Sequence, residues 1–332
     1  MKHEFHTIAK ISRMPVFLRS ALFVVVAAVI GSSGGFAVAS DNLRVVMGTA
    51  TPGGGFPVFG DAVVRTVQST DPQLTIEARN TRGSTENIPL LEAGALDIAL
   101  VQGEAAYEAL QGVGRPPSTL KIIAAMYSTP GMFVVRADSP YRNISDLRGK
   151  PVAFGARGSG LVILARYVLD GMGLDMDKDF QAVYLDRAGD GPAMVADGRV
   201  AALWGGGSSW PGFIAVTTAP AGGRFIVPDD AEIASIRARH DFLKLLTLPS
   251  GSFKGQSAPL HSLGSWSFIM ARTDLPDETA YRITKALHEG EGIIGGLLPQ
   301  AQETRAANTA TAAPDAALHP GTLKYLREAG LK

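Results

Sequence analysis

The chain has 332 residues, 46% hydrophobic and 19% charged, with 38 Gly, no Cys and a formal net charge of zero. That length is long for a single core and favours two lobes, and the composition is that of a globular α/β chain, neither disordered nor fibrous. The absence of Cys removes thiol catalysis and thiolate metal sites, and the lack of a basic run beyond the N-terminus leaves nucleic-acid binding without support.

The first 39 residues read as a secretory signal. Lys2, Lys10, Arg13 and Arg19 precede the apolar "ALFVVVAAVI" (21–30), and Ala37 and Ala39 form an A-x-A cleavage site. The apolar run is short for a bilayer span, although an uncleaved anchor is the alternative. Cleavage after Ala39 removes four basic residues and one acid, leaving about −3 on the remainder.

From residue 43 onward, strand-like and helix-like stretches alternate. "LRVVMG" (43–48) reads as a strand, and three glycines, Gly53 to Gly55, lead into the helical "VFGDAVVRTVQ". "LTIEAR" (74–79) is a second strand, and "STENIPLLEAG" (84–94) a helix with Ser84 as N-cap, or, because Pro89 is then awkwardly placed, one that starts nearer Asn87. "LDIALVQ" (96–102) is a third strand, before the helical "EAAYEAL" (104–110). "LKIIAAMY" (120–127) and "MFVVRA" (132–137) read as two further strands.

The theme restarts at 146–173 with a basic turn, a strand, the loop "GARGSGL" (155–161) and a helix. "FQAVYL" (180–185), helical "GDGPAMVADG" (189–198) and "VAALWGG" (200–206) continue it. Residues 228–265 are less regular. "SWSFIMA" (265–271) is a strand, and 277–290 a helix capped by Asp277 and stopped by Gly290. The Ala/Thr-rich 306–317 is loop or loose helix, and 321–330 a terminal helix. Such alternation predicts two α/β lobes with largely parallel sheets.

Three loops lie between a strand and a helix N-terminus, where orphan N–H groups and the helix dipole favour an anion. The first holds Thr51, Gly53, Gly54, Gly55 and Phe56, and lacks the P-loop Lys-Ser/Thr pair and G-x-G-x-x-G spacing. The second holds Arg157, Gly158, Ser159 and Gly160, where Arg157 offers a fork matched to a carboxylate. The third, "NTRGSTEN" (80–87), holds Arg82, Ser84 and Asn87. Each loop equally suits a plain turn or cap; together they could face one another across a cleft beyond the strands' carboxyl ends. Trp204 and Trp210 flank "GGGSS", where one could wall a ligand. His240, His261, His288 and His319 show no metal spacing, and no G-x-S-x-G elbow follows the signal.

These stretches also resemble a known family. "MGTATPGGGFPVFGDAV", "TRGSTENIPLLEAGALDIALVQGEAAYEA", "DLRGKPVAFGARGSG", "AYRITKAL" and "LHPGTLKYLREAG" fall in the order found in TAXI-type solute-binding proteins, the extracytoplasmic receptors of TRAP transporters. The resemblance covers nearly all of 43–331. It implies a periplasmic binding protein type II-like fold, two-lobed with mostly parallel sheets flanked by helices and a hinge of crossing strands. Lobe one would be 41–134 plus 265–332, and lobe two 135–264. It further implies an exported, monomeric receptor, without cofactor or catalysis, that passes a small organic anion or an amino acid to a TRAP membrane permease. The family's glycine loop falls on Gly53 and Gly54, its Thr-x-Gly-Ser-x-Glu-Asn on Thr81, Gly83, Ser84, Glu86 and Asn87, and its second-lobe Gly-Ser-Gly on Gly158, Ser159 and Gly160. Departures are Phe56-Pro57 in place of two aromatics, Arg82 for Gly, Arg157 for a small residue or Pro, and Leu161 for Thr. They imply a more cationic and less hydroxyl-rich site. Two other readings stay open: a ligand sensor for a membrane signalling protein, and an enzyme on the same bilobed fold, for which the Cys or His/Lys apparatus is missing.

Overall fold

The computed structural model describes residues 42–332; the signal expected over 1–39 lies outside the described residues. The chain runs β1 (Leu43–Gly48), α1 (Gly55–Thr70), β2 (Leu74–Arg79), α2 (Ser84–Glu92), β3 (Ile98–Val101), α3 (Gly103–Gln111) and the long β4 (Lys121–Arg136). Next come β5 (Pro151–Ala156), α4 (Gly160–Gly171), α5 (Met176–Asp179), β6 (Gln181–Leu185), α6 (Gly191–Ala196), β7 (Ala202–Gly206), α7 (Pro211–Thr218), β8 (Gly223–Ile226), α8 (Asp230–Arg239) and β9 (Lys244–Leu248). The chain returns through β10 (Leu260–Ala271) and ends with α9 (Asp277–Glu289), α10 (Glu291–Leu297), α11 (Ala306–Ala312) and α12 (Pro320–Glu328).

The strands form one mixed sheet in the order β2-β1-β3-β10-β4-β7-β5-β6, with β8 on β4 and β9 on β10. Two parallel sets stand at its ends. β1 pairs in parallel with β2 and β3, and β5 in parallel with β6 and β7. Between them β4 and β10 run antiparallel to each other and to their outer neighbours.

The residues 120–137, expected as two strands, are a single one. "STPG" (128–131) looks like a turn, but both its sides are occupied. Thr129 and Pro130 pair with Ser265 and Gly264 of β10, and Gly131 and Met132 pair with Gly206 and Gly205 of β7. The ladder therefore changes partner at Pro130–Gly131, where Pro costs least because it has no N–H to offer. β10 likewise begins five residues earlier than expected, because Leu260–Gly264 pairs with β9 before the strand meets β4.

Helices cover both faces of the first parallel set. Phe59, Val63 and Val67 of α1 pack with Val45, Met47 and Ile283 on one face, and Leu91, Ala105 and Leu326 with Ile122 and Met270 on the other. The second set has its own core, in which Phe133, Phe154 and Trp204 meet edge to face at centroid distances of 6.1 and 4.7 Å. Burying both faces explains why the inner strands β3, β5 and β7 read as continuous apolar runs, while the edge strand β2 alternates. Two capping expectations shift by one residue. The α2 N-cap is Gly83, with Ser84 the first helical residue and Pro89 inside the helix; the α9 N-cap is Pro276, with Asp277 in the first turn.

The strand crossing tolerates no extra atom. A Cβ at Gly264 would lie 1.9 Å from the Thr129 carbonyl oxygen, and one at Gly131 2.5 Å from the Trp204 ring. Gly264→Ala is expected to destabilise the chain by about 1–3 kcal/mol through overpacking, read as a lowered urea midpoint.

Candidate functional site

The loops at the carboxyl ends of the two parallel sets face each other and enclose a cavity. Its wall is built from Thr51, Gly54, Gly55 and Phe56 at the start of α1, Arg82, Gly83 and Ser84 at the start of α2, and Gln102 before α3. Tyr127 and Thr129 on β4 form its floor. Gly155, Ala156, Ser159, Leu161, Ala188, Gly206 and Trp210 close the other side. It has about 50 Å³ of room for the centre of a water molecule, several times what one water needs.

The two sides touch around this space. Ala188 N–H donates to Thr51 Oγ1 at 3.1 Å and Gly189 N–H to the Pro52 carbonyl at 3.3 Å. Thr85 donates to the Gly158 carbonyl through its N–H at 3.2 Å and its Oγ1 at 3.0 Å. Ser209 N–H donates to Gln300 Oε1 at 3.1 Å.

Five helices point their N-termini at the cavity. Gly54, Gly83, Gln102, Ser159 and Trp210 are the N-caps of α1, α2, α3, α4 and α7, and all five line the wall. Only Ser159 caps its helix with its side chain, accepting from Leu161 N–H at 3.2 Å; the other four N-caps make no side-chain cap bond. First-turn N–H groups are left without intrahelical partners, and each terminus carries roughly half a positive charge. Among the described residues no Asp or Glu side chain lines the wall.

Gln102 adds a side-chain donor. The residue is 3% exposed, and its Nε2 has no partner although it lies in the wall. Its own backbone N–H is held by Ser84 Oγ at 3.1 Å. A buried amide donor left unpaired costs about 1–3 kcal/mol, which an acceptor in the cavity would recover. Tyr127 and Phe56 give an apolar flank, and burial pushes the Tyr127 phenol far above its ordinary value, so its hydroxyl stays protonated.

The residues singled out from sequence separate into three groups. Thr51, Gly54, Gly55, Phe56, Arg82, Ser84 and Ser159 line the cavity. The Arg82 side chain is largely exposed and its Nε lies 3.1 Å from Glu86 Oε1, so its charge is shared at the rim. Gly53, Gly158 and Gly160 serve the approach of the two sides. Gly53 has φ 82°, and a Cβ there would stand 2.5 Å from Gly189 Cα; one at Gly158 would meet the Arg82 carbonyl oxygen at 2.7 Å, and one at Gly160 would meet Gln102 Cβ at 2.5 Å.

Three expected residues stand elsewhere. Trp204 is fully buried in the core of the second set, with Nε1 donating to the Leu161 carbonyl at 2.8 Å; its neighbour at the strand end, Trp210, reaches the wall instead. The Arg157 guanidinium lies over the Tyr184 ring at 5.3 Å, outside the wall. Asn87 is buried beneath the loop, donating to the Thr49 and Leu100 carbonyls at 2.8 Å each. Gln102, Tyr127 and Thr129 were missed. For Gln102 the signal was present, since "VQGE" follows a strand and opens a helix as the other loops do. Tyr127 and Thr129 looked like the edges of a turn.

A family model described as the NMT1-like family matches residues 47–330. The chain belongs to the NMT1-like family. Among solved structures, a protein from Bordetella bronchiseptica RB50 shares the fold of this NMT1-like chain with a TM-score of 0.56 at 14% identity, covering 87% of this chain and 99% of that one. The alkanesulfonate-binding protein SsuA from Xanthomonas axonopodis pv. citri bound to MOPS matches at 0.49 and 17%, over 88% and 84% of the two chains. A TctC solute binding protein from Polaromonas matches at 0.49 and 16%, over 86% and 98%. At these identities the likeness is one of α/β fold alone. No helix among the described residues of this NMT1-like chain is long and apolar enough to cross a membrane.

Glu104, in the first turn of α3, is fully buried, and burial lifts its carboxyl from the ordinary 4.5 to about 7. The unfolded chain releases this proton near 4.5, while the folded chain keeps it to about 7. The stabilisation is therefore complete below 4.5 and is lost as pH rises through 7. Against Glu104→Gln, the parent is expected to lose on the order of 3 kcal/mol between about pH 4 and pH 9, read as diverging urea midpoints of the two proteins.

Proposed function

We propose that this chain is an extracytoplasmic solute receptor that closes its two halves on a small organic acid, a carboxylate or the carboxylate end of an amino acid, and delivers it to a membrane permease. The observation that carries the reading is the meeting of five helix N-termini and an unpaired Gln102 amide around one small cavity. Such a wall offers donors and partial positive charge with little formal charge, suited to an anion of modest size. The strand crossing of β4 and β10 supplies the hinge, with 41–134 plus 265–332 and 135–264 as the moving lobes; the bound state would favour the closed arrangement.

The residues that resemble TAXI-type receptors support a TRAP permease as the membrane partner. The bonds between Ala188 and Thr51, and between Thr85 and Gly158, support a cleft that shuts. In this reading the chain carries no chemistry of its own, and the charge partner expected of Arg157 passes to the helix termini and Gln102, with Arg82 at the entrance.

Mass spectrometry of the acid released from the purified protein, followed by titration calorimetry with that acid, tests the reading. Recovery only of uncharged or cationic compounds would overturn it. Gln102→Leu is expected to weaken binding by about 1.5–3 kcal/mol, the loss of a charge-assisted bond, with its thermal midpoint checked to confirm folding. Arg157→Ala, by contrast, is expected to leave the affinity within about 0.5 kcal/mol, as for a surface change.

A further inference from the structure

Glu104 is a buried acid without an obvious purpose. Both carboxylate oxygens lack a hydrogen-bond partner, and the residue has no exposed surface. It sits two residues after Gln102, in the first turn of α3, where an exposed Glu would be favoured in its charged form by the helix dipole. This turn is pressed onto the crossing strand β10. A Cβ at Gly103 would lie 2.1 Å from Ser265 Oγ and 2.2 Å from the Trp266 carbonyl oxygen, so the backbone beside Glu104 has no slack. Ser265 and Gln102 are the polar neighbours of the carboxyl, and both favour its charged form from nearby, although neither reaches ordinary hydrogen-bond geometry with it.

The charges around Glu104 do not neutralise it. On α3, Glu108 lies one turn further on and is engaged by Arg166 and by Tyr167 Oη at 3.0 Å, both from α4. On α2, Glu86 pairs with Arg82 and Glu92 with Arg115. β10 brings Ser265 here, its His261 being held by Thr247. Tyr107, the remaining titratable group of α3, stacks on Phe242.

We propose that Glu104 is a proton-binding site coupled to the cleft, taking up a proton from solvent as the receptor captures its anion, so that the loaded form carries acid and proton together. The proposal rests on the reading of the cleft as an anion site. Two effects act in the same direction. The captured anion places a second negative charge near a buried carboxylate, which disfavours its ionised form. The anion also claims the Gln102 amide, the side-chain donor nearest the carboxylate that the wall shares. The proton passes to a carboxylate oxygen of Glu104, and no bond of the ligand changes. The carboxyl, already lifted by burial to about 7, is poised so that this uptake falls in the neutral range.

The test uses the purified full chain without its signal. Acetate, pyruvate, succinate, 2-oxoglutarate, L-glutamate and ethanesulfonate are ranked by the rise in thermal midpoint. The strongest is then titrated calorimetrically at about pH 8 in phosphate and in Tris, whose ionisation enthalpies differ. The difference in apparent enthalpy is expected to report an uptake approaching about one proton per acid bound, with affinity falling up to roughly tenfold per pH unit above 7. Glu104→Gln, which keeps the shape of the neutral carboxyl, is expected to bind the same acid with no uptake and a flat pH profile. Binding by the parent without proton uptake, or equal uptake in Glu104→Gln, overturns the inference and leaves the anion reading in place. Failure of every acid to bind overturns both.

Discussion

The backbone ladder between β4 and β10 is the constraint on which the rest of the molecule depends. Each strand changes partners along its length, β4 leaving β10 for β7 and β8 beyond Pro130–Gly131, and β10 leaving β9 at Gly264, where it meets β4, and adding β3 from Phe268. The crossing fixes where the two parallel sets stand and which of their ends turn toward each other. Parallel strands deliver their helices in one orientation, so once the carboxyl ends face inward, the N-termini of the following helices do so as well. The concentration of α1, α2, α3, α4 and α7 at one cavity follows from topology, with the glycines allowing the close approach.

Much of this order was legible in the residues. β5 follows from a continuous apolar run, because both its faces are buried, β1 and the edge strand β2 from shorter runs bounded by glycine and polar turns, and α1 from valines at helical spacing. The loops at 49–56, 80–87 and 155–161 announced themselves by glycines before a helix. What sequence could not convey was the second partner of each crossing strand. "STPG" carries the local preferences of a turn, and pairing by residues more than seventy positions away on either side overrides them.

The same limit governs the site. Which member of a pair reaches the cavity depends on the direction in which a strand end faces. Trp204 lies within β7 and is drawn into the core, whereas Trp210, past the strand, is free to turn to the wall. Arg157 had the right chemistry and the right loop, but the face of Tyr184 lies beside it and takes its guanidinium. Gln102 is neither charged nor in a glycine run, so its place between a strand and a helix is the one sign the residues give; the Nε2 left without a partner in a closed space is visible only in the fold. The resulting wall is cationic through its backbone more than through its side chains, the reverse of what Arg82 and Arg157 suggested.

The contact between Gly53 and Gly189 has a separate consequence. Here main chain meets main chain, and the Gly189 N–H to Pro52 carbonyl bond uses no side chain. A contact made of peptide groups does not depend on the identity of the side chains beside it. The residues of the wall can therefore be substituted one by one while this meeting of main chain with main chain survives, provided that both positions remain bare.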